Sequence, residues 1–342
     1  MKKICLTGGG TAGHIMPNIA LFEYAKDEFE FMYIGAKGSM EEKLITPLMP
    51  FFSAPMVKLV RSFTLKNFKI PFVLLNSVLK IKKILKEQKP DIIFSKGGFV
   101  SVPVAIAGFI LKIPVITHES DLTLGLANKI ISKFSKKICT SFEETALSLK
   151  KGVFTGTAIR KCFENPNKSM AKTQLKNFDE NKKTILIIGG SLGSKNLNCA
   201  ILTALNSLKE YNVVHIVGKN NLKPNIKQSN YYQIEFAENI ADFFDLADLI
   251  ITRGGSNCLF EIAYMNKKMI IIPLSKQQSR GDQIENANLF KKKNLAEVIL
   301  EEDLTTTKLV NAINNCINKN FNYLNIKNGT QNILNVIKSY IK

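Results

Sequence analysis

A short apolar strand that runs into a glycine turn and then into helix-like sequence occurs twice, about half a chain apart. Lys3-Ile4-Cys5-Leu6-Thr7 enters Gly8-Gly9-Gly10-Thr11-Ala12-Gly13-His14, and Thr184-Ile185-Leu186-Ile187-Ile188 enters Gly189-Gly190-Ser191-Leu192-Gly193-Ser194. This is the opening unit of a doubly wound α/β domain, in which a buried parallel strand turns tightly into its covering helix. Other short apolar runs lack polar alternation, as expected of parallel strands covered on both faces. They fall at 29–34, 92–95, 115–118 and 137–140 in the first half, and at 213–217, 232–236, 249–252 and 269–273 in the second. Helical patterns such as Ile240–Ala247 and Asn257–Met265 lie between them. The chain is therefore expected to form two Rossmann-like domains in tandem, 1–160 and 161–342. Gly152, Gly156 and Pro166 mark the break, and the last helix, from about 328, is free to pack back on the first domain.

Charge narrows the partners. The 342 residues carry 47 Lys and Arg against 28 Asp and Glu, a net +19, which favours polyanions: nucleic acid, an anionic membrane surface or phosphorylated small molecules. Only four of the 47 are arginines, at 61, 160, 253 and 280, so much of the surplus reads as solvated lysine. No nucleic-acid motif accompanies it, and no nucleic-acid partner is expected. Six cysteines without a C-x-x-C pair, and only three histidines, point to reduced thiols in a cytosolic protein and to no metal site. Seven residues precede the first glycine loop, too few for a secretory signal. The most apolar run, Phe99–Leu111, contains Pro103 and Gly108 and is shorter than the roughly 18 residues of a spanning helix.

Gly8, Gly10 and Gly13 fit G-x-G-x-x-G, a motif that ordinarily suggests a dinucleotide with a carboxylate at the tip of the second strand. Here that strand ends in Gly35-Ala36-Lys37-Gly38, so no dinucleotide cofactor is expected, and no other cofactor. What remains is a helix N-terminus offering its amides to an anion or a sugar oxygen, with His14 beside it. Gly189–Gly193 makes a second such loop, to which Ser191 adds a hydroxyl. Thr252-Arg253-Gly254-Gly255-Ser256-Asn257 makes a third; Ser256 or Asn257 would also serve simply as an N-cap. Glu261 follows, placed to accept both hydroxyls of a ribose, and Arg280-Gly281-Asp282-Gln283 opens a further helix. Three such helix starts at one sheet edge read as a nucleotide site. The chain has no D-x-D pair to clamp a divalent metal on a diphosphate and no P-loop. In 63–87, Phe72, Val73, Leu75, Leu79 and Leu85 interleave with Lys66, Lys69, Lys80, Lys82, Lys83 and Lys86. That pattern suits contact with anionic lipid, and equally a core helix with a lysine face.

With G-G-G-T-A-G-H at 8–14, S-K-G-G-F-V-S at 95–101, H-E-S-D at 118–121, L-A-N-K at 126–129, G-T-A-I-R at 156–160 and G-G-S-L-G at 189–193, the chain resembles the MurG family. The segments Arg253–Glu261 and Gly281–Asn286 extend the resemblance over nearly the whole chain. It implies the two-domain GT-B glycosyltransferase architecture, with the nucleotide sugar in the second domain. The implied reaction is inverting, metal-independent transfer of N-acetylglucosamine from UDP-GlcNAc to the C4 hydroxyl of lipid I, giving lipid II, at the cytoplasmic face of the cell membrane. By the same resemblance Thr11, Ala12 and Gly13 line the donor sugar, Asn128 reaches its hydroxyls, Arg160 sits at the hinge and Ser191 contacts the diphosphate. Ile240 offers its backbone to uracil, Ser256, Asn257, Cys258, Leu259, Phe260 and Glu261 hold phosphate and ribose, and Gln283 binds the sugar. His14 and then Glu119 are the candidates for general base. A transferase acting on diacylglycerol and a UDP-GlcNAc 2-epimerase are the alternatives.

Overall fold

The computed structural model describes residues 1–56, 70–190, 193–323 and 326–341. The chain divides into two compact units, one of Met1–Lys161 with Asn328–Lys342 and one of Cys162–Lys327.

Unit 1 alternates β1 (Lys3–Thr7), α1 (Ala12–Ala25), β2 (Glu30–Ala36), α2 (Met40–Ile45), β3 (Phe51–Ala54), α3 (Ile70–Gln88), β4 (Ile92–Ser95), α4 (Ser101–Ile110), β5 (Val115–Glu119), α5 (Leu126–Phe134), β6 (Lys137–Thr140), α6 (Glu143–Leu147) and β7 (Gly152–Phe154). The strands form one parallel sheet in the order β3-β2-β1-β4-β5-β6-β7. Alternate residues of β1 face opposite sides, as strand geometry requires. Ile4 and Leu6 join a core with Ile15 and Leu21 of α1, while Cys5 joins one with Val78, Ile81 and Leu85 of α3 and Ile131 of α5. Ile333, Leu334 and Ile337, near the end of the chain, complete the first of these cores.

Unit 2 contains α7 (Lys168–Lys172), β8 (Thr184–Ile188), α8 (Lys195–Ala204), β9 (Asn212–Ile216), β10 (Tyr231–Ile234), α9 (Ile240–Leu246), β11 (Leu249–Thr252), α10 (Ser256–Tyr264), β12 (Lys268–Ile271), α11 (Asp282–Lys292), β13 (Glu297–Val298) and α12 (Thr306–Asn318). Its parallel sheet runs β10-β9-β8-β11-β12-β13, and α13 (Thr330–Lys338) follows in unit 1. In each sheet the first strand lies between neighbours reached in opposite directions. That places a crevice at the carboxyl ends of β1 and β4 in unit 1, and of β8 and β11 in unit 2.

Candidate active site

The crevice of unit 1 is walled by the β1–α1 and β4–α4 loops, which touch through glycine. A Cβ on Gly98 would lie 2.5 Å from the carbonyl oxygen of Gly9 and 3.2 Å from Nδ1 of His14, and φ there is +81°. Only glycine fits both the space and the conformation. Thr11 is the exposed N-cap of α1, and Ala12, Gly13 and His14 form its first turn. Nδ1 of His14 lies 3.1 Å from the Gly9 carbonyl and 3.1 Å from Thr11 Oγ1. A carbonyl only accepts, so Nδ1 carries the proton and a neutral ring keeps its lone pair on Nε2.

Glu119, the other candidate base, is occupied structurally. It is buried, and its carboxylate accepts from Asp121 N (3.1 Å), Gly125 N (2.9 Å) and Asn128 Nδ2 (3.0 Å). Burial, reinforced by the charge of Asp121, raises its carboxyl above the usual range against those three hydrogen bonds. Asn128 is spent in the same way. Its Nδ2 also donates to His118 O, its Oδ1 accepts from Thr117 Oγ1, and it lies where a side chain on Gly97 would go. Arg160 is half-buried at the end of the first segment of unit 1.

Two further groups of this region are buried, one in each of the motifs at 95–101 and 118–121. Lys96 hydrogen-bonds Ser120 and is 2 % exposed; burial draws its ammonium down to about 8, although Glu119 and Asp121 favour the charge. His118 donates Nε2–H to Gly156 O at 3.0 Å, and its Nδ1 is buried without a hydrogen-bond partner among the described residues. Burial, and then the charge of Lys96, keep that ring neutral. Lys96 and His118 lie in the S-K-G-G-F-V-S and H-E-S-D motifs, but their burial could not be read from residue type.

In unit 2 the starts of α8, α10 and α11 lie at the same sheet edge, after β8, β11 and β12. Gly193 is pressed against the chain: a Cβ there would meet Val217 O at 2.2 Å, with φ at +74°. Ser191 lies outside the described residues. Gln283 ties two loops together, its Oε1 accepting from Gly254 N (3.1 Å) and Leu274 N (3.0 Å). Asn286 donates to Gly254 O at 3.1 Å, which fixes the turn ahead of α10. The run Ser256–Glu261 separates by role. Ser256 is buried at the first helical position, Asn257 and Cys258 are half-buried, and Cys258 Sγ is 3.6 Å from Thr252 Oγ1. Leu259 and Phe260 turn into the core, Phe260 edge-on to Phe290, so their side chains serve packing. Glu261 sits in the second turn with little exposure, and Ile240 is half-buried at the start of α9. Among the described residues no cluster of three or more His, Cys, Asp or Glu could hold a metal ion.

Residues 4–140 match the glycosyltransferase family 28 N-terminal domain, and residues 184–340 match the family's C-terminal domain. Over 349 aligned positions, 98 % of each chain, the protein is 46 % identical to the UDP-N-acetylglucosamine–N-acetylmuramyl-(pentapeptide) pyrophosphoryl-undecaprenol N-acetylglucosamine transferase of Clostridium perfringens. The chain is a glycosyltransferase of family 28, of the MurG type. Its fold agrees. The crystal structure of MurG from Acinetobacter baumannii superposes with a TM-score of 0.76 at 22 % identity, covering 99 % of this chain and 100 % of that one. UDP-GlcNAc 2-epimerase from Neisseria meningitidis shares the architecture, with a TM-score of 0.69 at 15 % identity over 99 % and 100 % of the two chains. That GT-B likeness speaks to fold alone, and the 46 % identity is what distinguishes the MurG-type enzyme from the epimerase.

Proposed function

We propose that this MurG-type enzyme transfers N-acetylglucosamine from UDP-GlcNAc to the C4 hydroxyl of the muramyl sugar of lipid I, releasing UDP and forming lipid II. The observation that carries the reading is the near-full-length identity to a transferase of that name. The donor binds unit 2. Glu261 accepts the ribose hydroxyls, the start of α10 and Ser191 meet the diphosphate, Ile240 offers backbone to uracil, and Gln283 turns its amide nitrogen to the sugar. Helix N-termini suit this task because their dipoles favour the negative charge that grows on the leaving diphosphate. Nε2 of His14 takes the proton of the C4 hydroxyl as its oxygen attacks the anomeric carbon, and UDP leaves from the opposite face. The Nδ1–H bond to Gly9 supports that role, and the three hydrogen bonds on Glu119 favour His14 over it. Asn128 then serves the sugar by holding the Gly97 turn.

The acceptor's lipid tail places the work at a bilayer, and helix α3 supports docking there, on its cytoplasmic face. Val78, Ile81 and Leu85 pack inward, whereas Phe72, Leu75 and Leu79 form a second stripe that is 76 %, 58 % and 57 % exposed. Lys80, Lys82, Lys83 and Lys86 edge it, and Phe109 and Ile110 of the adjoining α4 are exposed as well. Among the described residues no helix is long and apolar enough to cross a membrane, and residues 57–69, which include the start of the lysine-rich stretch, lie outside them.

The test is incubation with labelled UDP-GlcNAc and a lipid I analogue in EDTA. Label should move to the lipid. Release of UDP with a free epimerised sugar would establish the epimerase instead. Loss of transfer on chelation, restored by magnesium, would overturn the metal-free mechanism.

A further inference from the structure

We propose that Glu301 is a positioning residue for the nucleotide donor: through Arg253 it fixes the three helix starts of unit 2 in one arrangement. It opens a short 3-10 turn, Glu301–Asp303, just beyond the edge strand β13. One carboxylate oxygen accepts from Arg253 Nη2 at 2.6 Å; the other accepts from Gln278 Nε2 at 3.0 Å and Ser275 N at 3.4 Å. The side chain of Asn196, in the first turn of α8, also hydrogen-bonds it. Arg253 spans the sheet edge from the end of β11. Its Nη1 donates to Ile272 O at 3.0 Å, and its Nη2 also donates to Oγ of Ser194, the residue that caps α8.

One ion pair thus reaches the start of α8 through Ser194 and Asn196, the turn into α10 through Arg253, and the loop into α11 through Ile272, Ser275 and Gln278. Both side chains are 7 % exposed, so the pair is shielded from solvent and salt. Burial opposes the charge on Glu301, but the Arg253 hydrogen bond and charge prevail and hold its carboxyl below the usual range. Nε of Arg253 is buried and has no hydrogen-bond partner among the described residues, so the guanidinium depends on this carboxylate for charge compensation. Without it the guanidinium must turn toward another acceptor, and the Ser194 cap and the Gly254-Gly255 turn shift with it. None of these groups need touch the ligand.

The inference rests on the donor reading of unit 2, and calorimetry with UDP-GlcNAc separates the two. Wild type binding no UDP-GlcNAc overturns that reading and the inference together. With wild type binding, Glu301→Ala should weaken the donor by about 10- to 100-fold, the scale on which small displacements of a binding array are felt. Glu301→Gln, of the same shape and able to fold without the charge, should fall between the two. Asp303→Asn, in the same turn and paired outward with Lys308, is the control and should bind like wild type. In turnover the donor KM should rise and kcat should fall with it where the displaced helix starts meet the growing charge, while the acceptor KM stays within about twofold, a split that a general loss of stability does not produce. Donor affinity of Glu301→Gln equal to or tighter than wild type overturns the proposal, even if the melting temperature falls.

Discussion

His14 and Gly9 are joined by a hydrogen bond of 3.1 Å between the imidazole Nδ1 and the backbone carbonyl, and that bond assigns the ring's proton. With Nδ1–H committed, Nε2 is the basic nitrogen of the neutral ring. His14→Ala should therefore lower kcat by about 10²- to 10⁴-fold while leaving donor affinity near wild type. Single-turnover rates measured beside calorimetry check this. Near-normal turnover in the variant would reduce His14 to an opener of α1 and return attention to Glu119.

Glu261 makes the opposite prediction, on binding rather than chemistry. It is 8 % exposed on the second turn of α10, where a carboxylate can take two sugar hydroxyls. Glu261→Ala should weaken UDP-GlcNAc by about 1–3 kcal/mol, the range for hydrogen bonds to a charged group. An unchanged dissociation constant would remove it from the site.

Lys96 should leave a mark on stability as a function of pH. Burial holds its ammonium at about 8, against an ordinary 10.5. Between those values the unfolded chain binds a proton that the folded chain does not, so this group makes stability rise with pH across that window. Its cost to folding is fully present below pH 8 and is relieved on the way to 10.5. The unfolding free energy of wild type relative to Lys96→Met, from denaturant curves, should rise by up to about 3 kcal/mol between those limits. Parallel curves would mean that Lys96 titrates normally.

Helix α3 can be tested on vesicles. Each lysine near an anionic surface contributes roughly 1 kcal/mol, attenuated by salt, and buried apolar side chains add a salt-insensitive part. Co-sedimentation should rise with anionic lipid for wild type. It should fall for Leu75→Asp/Leu79→Asp and for Lys82→Glu/Lys83→Glu, with UDP-GlcNAc binding intact in both. If both variants sediment like wild type, the bilayer contact lies on another surface.

Strands buried on both faces were legible because burial writes itself into composition: 92–95, 137–140 and 249–252 each hold two or three consecutive apolar residues with no polar alternation between them, and the structure has strands at those residues. The strands β3, β7 and β13 at the sheet edges were not legible. Gly152–Phe154 and Glu297–Val298 are two or three residues long and half-exposed, and pairing with a neighbour, not their own pattern, makes them strands. The glycine loops were legible because glycine at a tight approach is chemically conspicuous. Glu301 was not, because its partner Arg253 is 48 residues away and no periodicity links them. Asn128 and Gln283 show the converse: beside a predicted site, the Asn128 amide and the Gln283 Oε1 hold neighbouring backbone or side-chain groups, which residue type alone does not reveal.

The end of the chain carries a consequence for synthesis. Ile333, Leu334 and Ile337 of α13 belong to the same core as Ile4, Leu6 and Ile15, and Asn328 hydrogen-bonds the backbone of Ile159. A ribosome releasing this protein from the amino end must make all of unit 2 before it makes the helix that closes unit 1. The earlier part of unit 1 therefore waits with an apolar groove uncovered, during which a chaperone or the bilayer itself has first access to it. Unit 2, encoded without interruption, can mature while its partner is still incomplete.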